Sequence, residues 1–356
     1  MGRVISIINA SRASDGITRV ILQTYNLLRH SQFEVGWIQI RDRYTMDDLP
    51  EVGEIVDGIT FPPRTLSMGI SRSRIMRRKL EGFDADIDLL SEPTLINLVN
   101  PDHKTVVRFH DFRPLSEYSD NYITHLTYKS IIPKLRKVKY AIFSTEYIKN
   151  EALKLGIVPK ASVVAYDSPL ISVHREHVEE SLKRLQSGKI NITCISTDRP
   201  YKNLIFYLRL VKLMTDKYPG KFQYTLVTDA KKDLLKEIKN CRDLIHIPKA
   251  PHIEDIYKTT DMIIIPSLYE GYGLPLVEAM YFGIPVMLFE LPSFKEILGE
   301  YDGFQTSSNL NKWADFIIYA LEPENYKRLS SIMLKRVDWL IRQDQEGKLR
   351  TFFESL

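Results

Sequence analysis

The sequence predicts an α/β protein made of two doubly wound domains. Short, strongly apolar runs such as residues 4–8 and 262–265 alternate with stretches whose apolar residues return at helical spacing. The alternation runs to about residue 166, is broken by Tyr166-Asp167-Ser168-Pro169-Leu170, and then restarts. A length of 356 residues suits two domains of ordinary size.

In the first series, residues 4–8 read as a strand, followed by a polar loop over 9–16 and a helix over 17–28. Ile17, Val20, Ile21, Tyr25 and Leu28 give that helix one apolar face. Further strands are expected over 35–40, 54–59, 87–90, 105–109, 140–143 and 162–165, the fourth of these leading into His110 and Asp111. The second series predicts strands over 190–195, 222–227, 244–247, 262–265 and 286–289. Helices are expected over 182–187, 204–217, 231–240 and 253–259, with a polar helical stretch over 329–353.

Composition excludes several classes. The hydrophobic share of 44% and charged share of 26% are those of a soluble globular chain. Basic residues number 49 against 45 acidic ones; a net charge of +4 is too small to imply nucleic acid. The two cysteines, Cys194 and Cys241, have no metal-ligand spacing and cannot build a disulfide framework, which fits a reducing cytoplasm. No apolar run has membrane-helix length, and the N-terminus has no secretory leader pattern. Met1-Gly2-Arg3-Val4-Ile5-Ser6 satisfies the bare myristoylation pattern, but a lipid there would sit at the root of the first strand, so lipidation is not expected.

The most informative stretch is residues 266–286. A buried strand ends at Pro266, a turn carries Glu270, Gly271, Tyr272 and Gly273, and a helix begins at Leu274-Pro275 and stops at Gly283. Glycines let a ligand approach the main chain, and a helix N-terminus favours an anion. Glu270 and Glu278 frame that anion position, and carboxylates beside an anion suit hydroxyl groups. A phosphate with hydroxyls on both sides describes a nucleotide sugar.

This segment resembles the signature of the retaining glycosyltransferase family four, which includes sucrose and glycogen synthases. The family pattern is an acid, glycine, aromatic, glycine and Leu-Pro, then a second acid after seven intervening residues. Glu270, Gly271, Tyr272, Gly273, Leu274, Pro275 and Glu278 follow it, with Tyr272 where Phe is commoner, and Gly283-Ile284-Pro285-Val286 continues it. Glu254 to Tyr257, Thr260-Asp261 and Lys295 to Glu300 extend the likeness over roughly residues 245–305.

The resemblance implies a GT-B fold: two Rossmann-like domains facing a cleft, 1–167 on the acceptor side and 168–335 on the nucleotide-sugar side, with a C-terminal helix over 336–356 crossing back to the first. It implies a retaining hexosyltransferase that draws on a UDP- or GDP-sugar, holds no cofactor and needs no metal. The implied catalytic residues are His110, Glu270 and Lys202. Glu270 contacts sugar hydroxyls, Glu278 the ribose, and the amides of Gly271, Tyr272, Gly273 and Leu274 the sugar and phosphate oxygens. Lys202, in a Lys-Asn pair, binds the diphosphate. Thr197 stands where many members carry an arginine, and Arg199 is the expected substitute. Gly16 resembles the family's N-terminal glycine beside the phosphates. The Asp84-Ala85-Asp86 spacing would suit a metal but precedes a first-domain strand.

Two basic stretches remain. One holds Arg64, Arg72, Arg74, Arg77, Arg78 and Lys79; the other Lys129, Lys134, Arg136, Lys137 and Lys139. Each reads either as a solvated face or as contact with anionic membrane, which would set a cytoplasmic enzyme at the inner membrane face. The acceptor class is open: a glycan, a lipid-linked sugar or a protein. The rival readings are a phosphorylase or glucan synthase on the same frame, a nucleotide-sugar-binding subunit without turnover, and a nucleic-acid-modifying glucosyltransferase, although nucleic acid is not the expected partner.

Overall fold

The computed structural model describes residues 3–9, 16–39, 85–99, 104–119, 121–169, 171–188, 190–248 and 252–356. The chain divides into two units, Met1–Ser168 with Asp344–Leu356, and Pro169–Gln343.

Unit 1 holds a parallel six-stranded sheet. Its strands are β1 (Val4–Asn9), β2 (Glu34–Gln39), β3 (Ile87–Leu90), β4 (Thr105–Phe109), β5 (Tyr140–Phe143) and β6 (Ala161–Val164), in the order β2-β1-β3-β4-β5-β6. Alternate residues of one strand enter different cores, as the two-residue period of a strand requires. Val106 and Ile142 join Ile5, Ile7, Ile87 and Leu89, whereas Val107, Phe109 and Phe143 join Ile8 and Leu90. Both faces are therefore apolar, which is why these strands read as continuous hydrophobic runs. The first core is closed by the helix Gly16–Arg29, through Ile21 and Leu28, and by the last helix, Gln345–Glu354, through Leu349, Phe352 and Phe353. Burying Phe353 alone is worth about 1.5–3 kcal/mol.

Unit 2 repeats the plan with β7 (Ile190–Ile195), β8 (Phe222–Val227), β9 (Leu244–Ile247), β10 (Met262–Ile265), β11 (Val286–Phe289) and β12 (Phe304–Gln305). All pairings are parallel and the order is β12-β11-β10-β7-β8-β9. The chain winds outward from β7 through β8 to β9, then returns to place β10 on the other side of β7. The winding sense therefore reverses between β7 and β10, and the loops that leave their carboxyl ends diverge there.

Three expectations need correction. The helical stretch over 329–353 is two helices, Pro323–Arg342 and Gln345–Glu354. Asp344 breaks it by taking a left-handed conformation, φ 45°, and its carboxylate caps the new helix by accepting from Gly347 N at 3.1 Å. The returning segment accordingly starts at Asp344 rather than 336, because Met333, Val337 and Leu340 bury the preceding helix within unit 2. Between β4 and β6 the structure also has helices that the sequence reading omits, Tyr122–Leu135 and Glu146–Lys154. The first carries Pro133 inside its last turn; the second starts on Thr145, whose hydroxyl accepts from Ile148 N at 3.1 Å. The strand expected over 54–59 lies outside the described residues.

Candidate active site

In unit 2 the diverging loops are tied to each other. The loop after β7 carries Arg199 and a single 3-10 turn, Pro200–Lys202, before Asn203 at φ 55° opens the helix Leu204–Lys217. Lys202 thus belongs to that turn, ahead of the helix start. The loop after β10 carries Glu270 to Gly273. Leu268 N donates to Tyr201 O at 2.8 Å, and Lys202 Nζ donates to Glu270 Oε1 at 2.5 Å. The lysine side chain keeps 15% of its surface exposed and the carboxylate 11%, so the pair is sheltered yet reachable. Lys202 Nζ also lies 5.2 Å from the centre of the Tyr201 ring. Glu270 is fixed from behind, its carbonyl accepting from Ser293 Oγ at 2.8 Å at the start of the helix Pro292–Leu298.

Gly273 has φ +99°, and a Cβ there would come within 2.5 Å of Phe294 Cε1. Both the backbone and the space demand glycine. The helix that follows is Leu274–Tyr281; Leu274 holds its first position and Pro275 the next, where a missing N–H costs nothing. Glu278 sits within this helix and is 1% exposed. Its Oε2 accepts from Tyr257 Oη at 2.8 Å. Tyr272 is buried, and Arg199 is exposed on the loop that precedes Lys202.

At the carboxyl edge of the unit 1 sheet, His110 follows β4 and its Nε2 donates to the Ser91 carbonyl at 3.0 Å. The other ring nitrogen lies 4.0 Å from Asp167 Oδ2. Asp167 is held by Arg108, whose guanidinium meets its Oδ1 at 2.5 Å with both side chains almost wholly buried. Arg108 also donates to Thr24 Oγ1 at 3.3 Å. Burial, then the Arg108 charge, push the His110 pKa down to about 3 against the weaker opposing bond to Ser91. The imidazole is neutral at physiological pH. Gly16 starts the helix that leads away from β1.

The model for the family Glycosyl transferases group 1 matches residues 189–323. The matched stretch lies wholly within unit 2, which is similar to that family. Relatives include the O-antigen chain mannosyltransferase RfbU of Salmonella typhimurium, 24% identical over 200 residues, and O-antigen chain mannosyltransferase B of Escherichia coli, 22% identical over 246 residues. The first match covers 54% of either chain and the second 64%, so this chain spans between about half and two thirds of the relatives' length. Among solved structures, Anabaena HepE in complex with UDP and glucose aligns with a TM-score of 0.75 at 14% identity, covering 100% of this chain and 99% of that one. Sucrose-phosphate synthase from Thermosynechococcus elongatus aligns with a TM-score of 0.74 at 14% identity, covering 99% and 98%. The fold is shared over the whole length.

Unit 2 carries Arg199, Lys202, Glu270, Gly271, Tyr272, Gly273, Leu274 and Glu278, and joins Lys202 directly to Glu270. His110 and Gly16 belong to the other unit. Sequence reasoning missed Tyr257, Arg108 and Asp167 as partners. Arg108 had a visible signal, a charge inside the otherwise apolar run of β4; Tyr257 lay in a stretch valued only for its likeness to the family. Asp86 accepts from Val4 N at 2.8 Å and so secures the start of β1, while Asp84 is outside the described residues. Among the described residues, no three His, Cys, Asp or Glu side chains converge as a metal-binding set, and no helix is long and apolar enough to cross a membrane. Of the second basic stretch, Lys134 bonds to Asn97 and Arg136 to the Leu155 carbonyl. The first basic stretch and Gly2 lie outside the described residues.

Proposed function

We propose that this chain transfers a hexose from a nucleotide diphosphate sugar to a glycan-type acceptor with retention at the anomeric carbon. The observation that carries the reading is the meeting of Lys202 and Glu270, 2.5 Å apart, where the winding of the unit 2 sheet reverses. Such a position is where open α/β sheets take ligands. An ammonium has three donors. In this reading Lys202 meets diphosphate oxygens as well as Glu270, which sets the phosphate beside a carboxylate that holds sugar hydroxyls. Arg199 and the main-chain amides of Gly271 to Leu274 supply further positive potential. In this reading the carbon–oxygen bond to the diphosphate breaks while the acceptor oxygen bonds the same face of the anomeric carbon. A phosphate oxygen takes the acceptor proton. Preorganised cations and amides meet the leaving charge without a divalent metal. The names of the O-antigen mannosyltransferase relatives support a hexose donor and a glycan acceptor; the UDP and glucose bound to HepE support a nucleotide sugar. Unit 1 is proposed as the acceptor side, with the neutral His110 imidazole as its contribution, and the enzyme is proposed to work in the cytoplasm.

The test is a thermal-shift panel of UDP, GDP and ADP with their sugars, followed by donor hydrolysis without acceptor. Stabilisation by one nucleotide family, lost in Lys202→Met, and a slow release of free sugar are expected. Activity should survive a chelator. Saturable binding with no turnover, alone or with glycan acceptors, would instead mark a binding subunit.

A further inference from the structure

The helix Leu274–Tyr281 points its residues into the core: Leu276, Val277, Ala279 and Met280 have no exposed surface. Glu278 stands among them, 1% exposed. A carboxylate in such surroundings is tolerable only when it is hydrogen-bonded. Tyr257 supplies one of its bonds from another element, the helix Ile253–Lys258, through Oη at 2.8 Å from Oε2. The phenol has one proton to give, and the Pro275 carbonyl is 3.5 Å away, so between these two acceptors the nearer Glu278 takes it. The phenol is itself clamped. Its ring stacks on Phe282 with centroids 5.5 Å apart and planes 19° from parallel. Phe282 is held in turn by His174, stacked at 4.5 Å, and by the edge of His177 at 5.5 Å.

We infer that Tyr257 is a positioning residue for ribose recognition: by fixing Oε2 it sets the plane in which the Glu278 carboxylate meets two adjacent ribose hydroxyls. The inference rests on the reading of Glu278 as the ribose ligand. A carboxylate gripping a vicinal diol needs both oxygens in a defined plane, and free rotation about the last side-chain bond would spoil that geometry. A bond that only capped a buried charge would matter to stability and not to which sugar is chosen.

The experiment measures binding of UDP, GDP and ADP, then compares the one that binds with its 2′-deoxy and 3′-deoxy forms. The wild-type protein is expected to prefer the ribonucleotide by about tenfold, the scale of one lost hydrogen bond to a charged group. Glu278→Gln should erase that preference. Tyr257→Phe should cut it to about twofold or threefold, by weakening the ribonucleotide and leaving the deoxy forms unchanged. A wild-type protein indifferent to the ribose hydroxyls would overturn the Glu278 reading itself. Preference lost in Glu278→Gln but intact in Tyr257→Phe, with only a lower melting temperature, would overturn the role of Tyr257 alone. Should Tyr257→Phe fail to fold, Phe282→Leu loosens the clamp and keeps the phenol. An intermediate preference there supports the positioning role, and an unchanged one rejects it.

Discussion

The carboxyl edges of the two sheets use charge in opposite ways. In unit 1, Arg108 and Asp167 meet at 2.5 Å with only 2% and 4% of their side chains exposed. In unit 2, Lys202 and Glu270 meet at the same distance but keep 15% and 11%. In the sealed pair the two charges are spent on each other, and removing one strands the other in the interior. A sheltered but open pair can exchange part of its bonding for a phosphate or a hydroxyl. The same kind of contact is therefore sealed in one place and open to solvent in the other, and only the open one is proposed to take part in chemistry.

The largest expected effect follows from the sealed pair. Arg108→Ala leaves Asp167 buried without its cation and should lower stability by about 3–5 kcal/mol, read as a shift of the urea midpoint. Replacing both residues together, Arg108→Leu with Asp167→Leu, should recover most of that loss. A double variant as unstable as the single one would show that the charge pairing is not what matters there.

The next effect concerns the unit 2 loop. Gly273→Ala puts a side chain at φ +99° and drives its Cβ against the Phe294 ring. A cost of about 1–3 kcal/mol is expected, together with loss of the nucleotide-induced thermal shift. Gly283→Ala is the control. It too has positive φ, +63°, and its Cβ would lie 2.8 Å from Val178 Cγ2, at the far end of the same helix. It should destabilise but keep the nucleotide shift. If both variants behave alike, the loop has no special part in binding.

These cases also mark what the sequence could reveal. Strands buried on both faces were legible because nothing but continuous apolar character is needed to recognise them; Met262–Ile265 is wholly buried, as expected. The helix Tyr122–Leu135 was hidden by Pro133, a residue that usually ends a helix and here sits in its last turn, with only Lys134 and Leu135 after it. The break at Asp344 was hidden because a left-handed aspartate gives no apolar signal. In the candidate site, Lys202 and Glu270 were legible as separate groups, yet not as partners. They are 68 residues apart, and their contact depends on β10 lying beside β7. Arg108 and Asp167, 59 residues apart, were invisible as a pair for the same reason.

A smaller effect separates the two edges by pH. His110 titrates at about 3 in the folded protein instead of 6.5. Above pH 6.5 both folded and unfolded chains leave it neutral, and its contribution is fully present. As the pH falls below 6.5 the unfolded chain takes up the proton first, so stability declines down to about pH 3. At pH 5 the loss is about 2 kcal/mol. His177, also lowered by burial, acts in the same direction, so the measurement is the difference between wild type and His110→Gln. The variant should show a flatter decline between pH 6.5 and 5, and equal slopes would mean that His110 is readily protonated in the fold.

The smallest change in stability is expected at the open pair, and it is the most informative about function. Lys202→Met should cost about 1 kcal/mol, since both groups still reach water, and should abolish the nucleotide shift. Glu270→Gln should behave differently. It removes the competitor for the lysine, so a free nucleoside diphosphate should bind as tightly as in wild type or a few-fold tighter. The same variant loses the carboxylate proposed to hold the sugar, so turnover of the nucleotide sugar should fall by 100-fold or more, on the scale of about 3 kcal/mol for a charged contact made at the reacting sugar. Equal losses of nucleotide affinity in both variants would mean that the two side chains act only as a structural pair, and the open edge would then be no different from the sealed one.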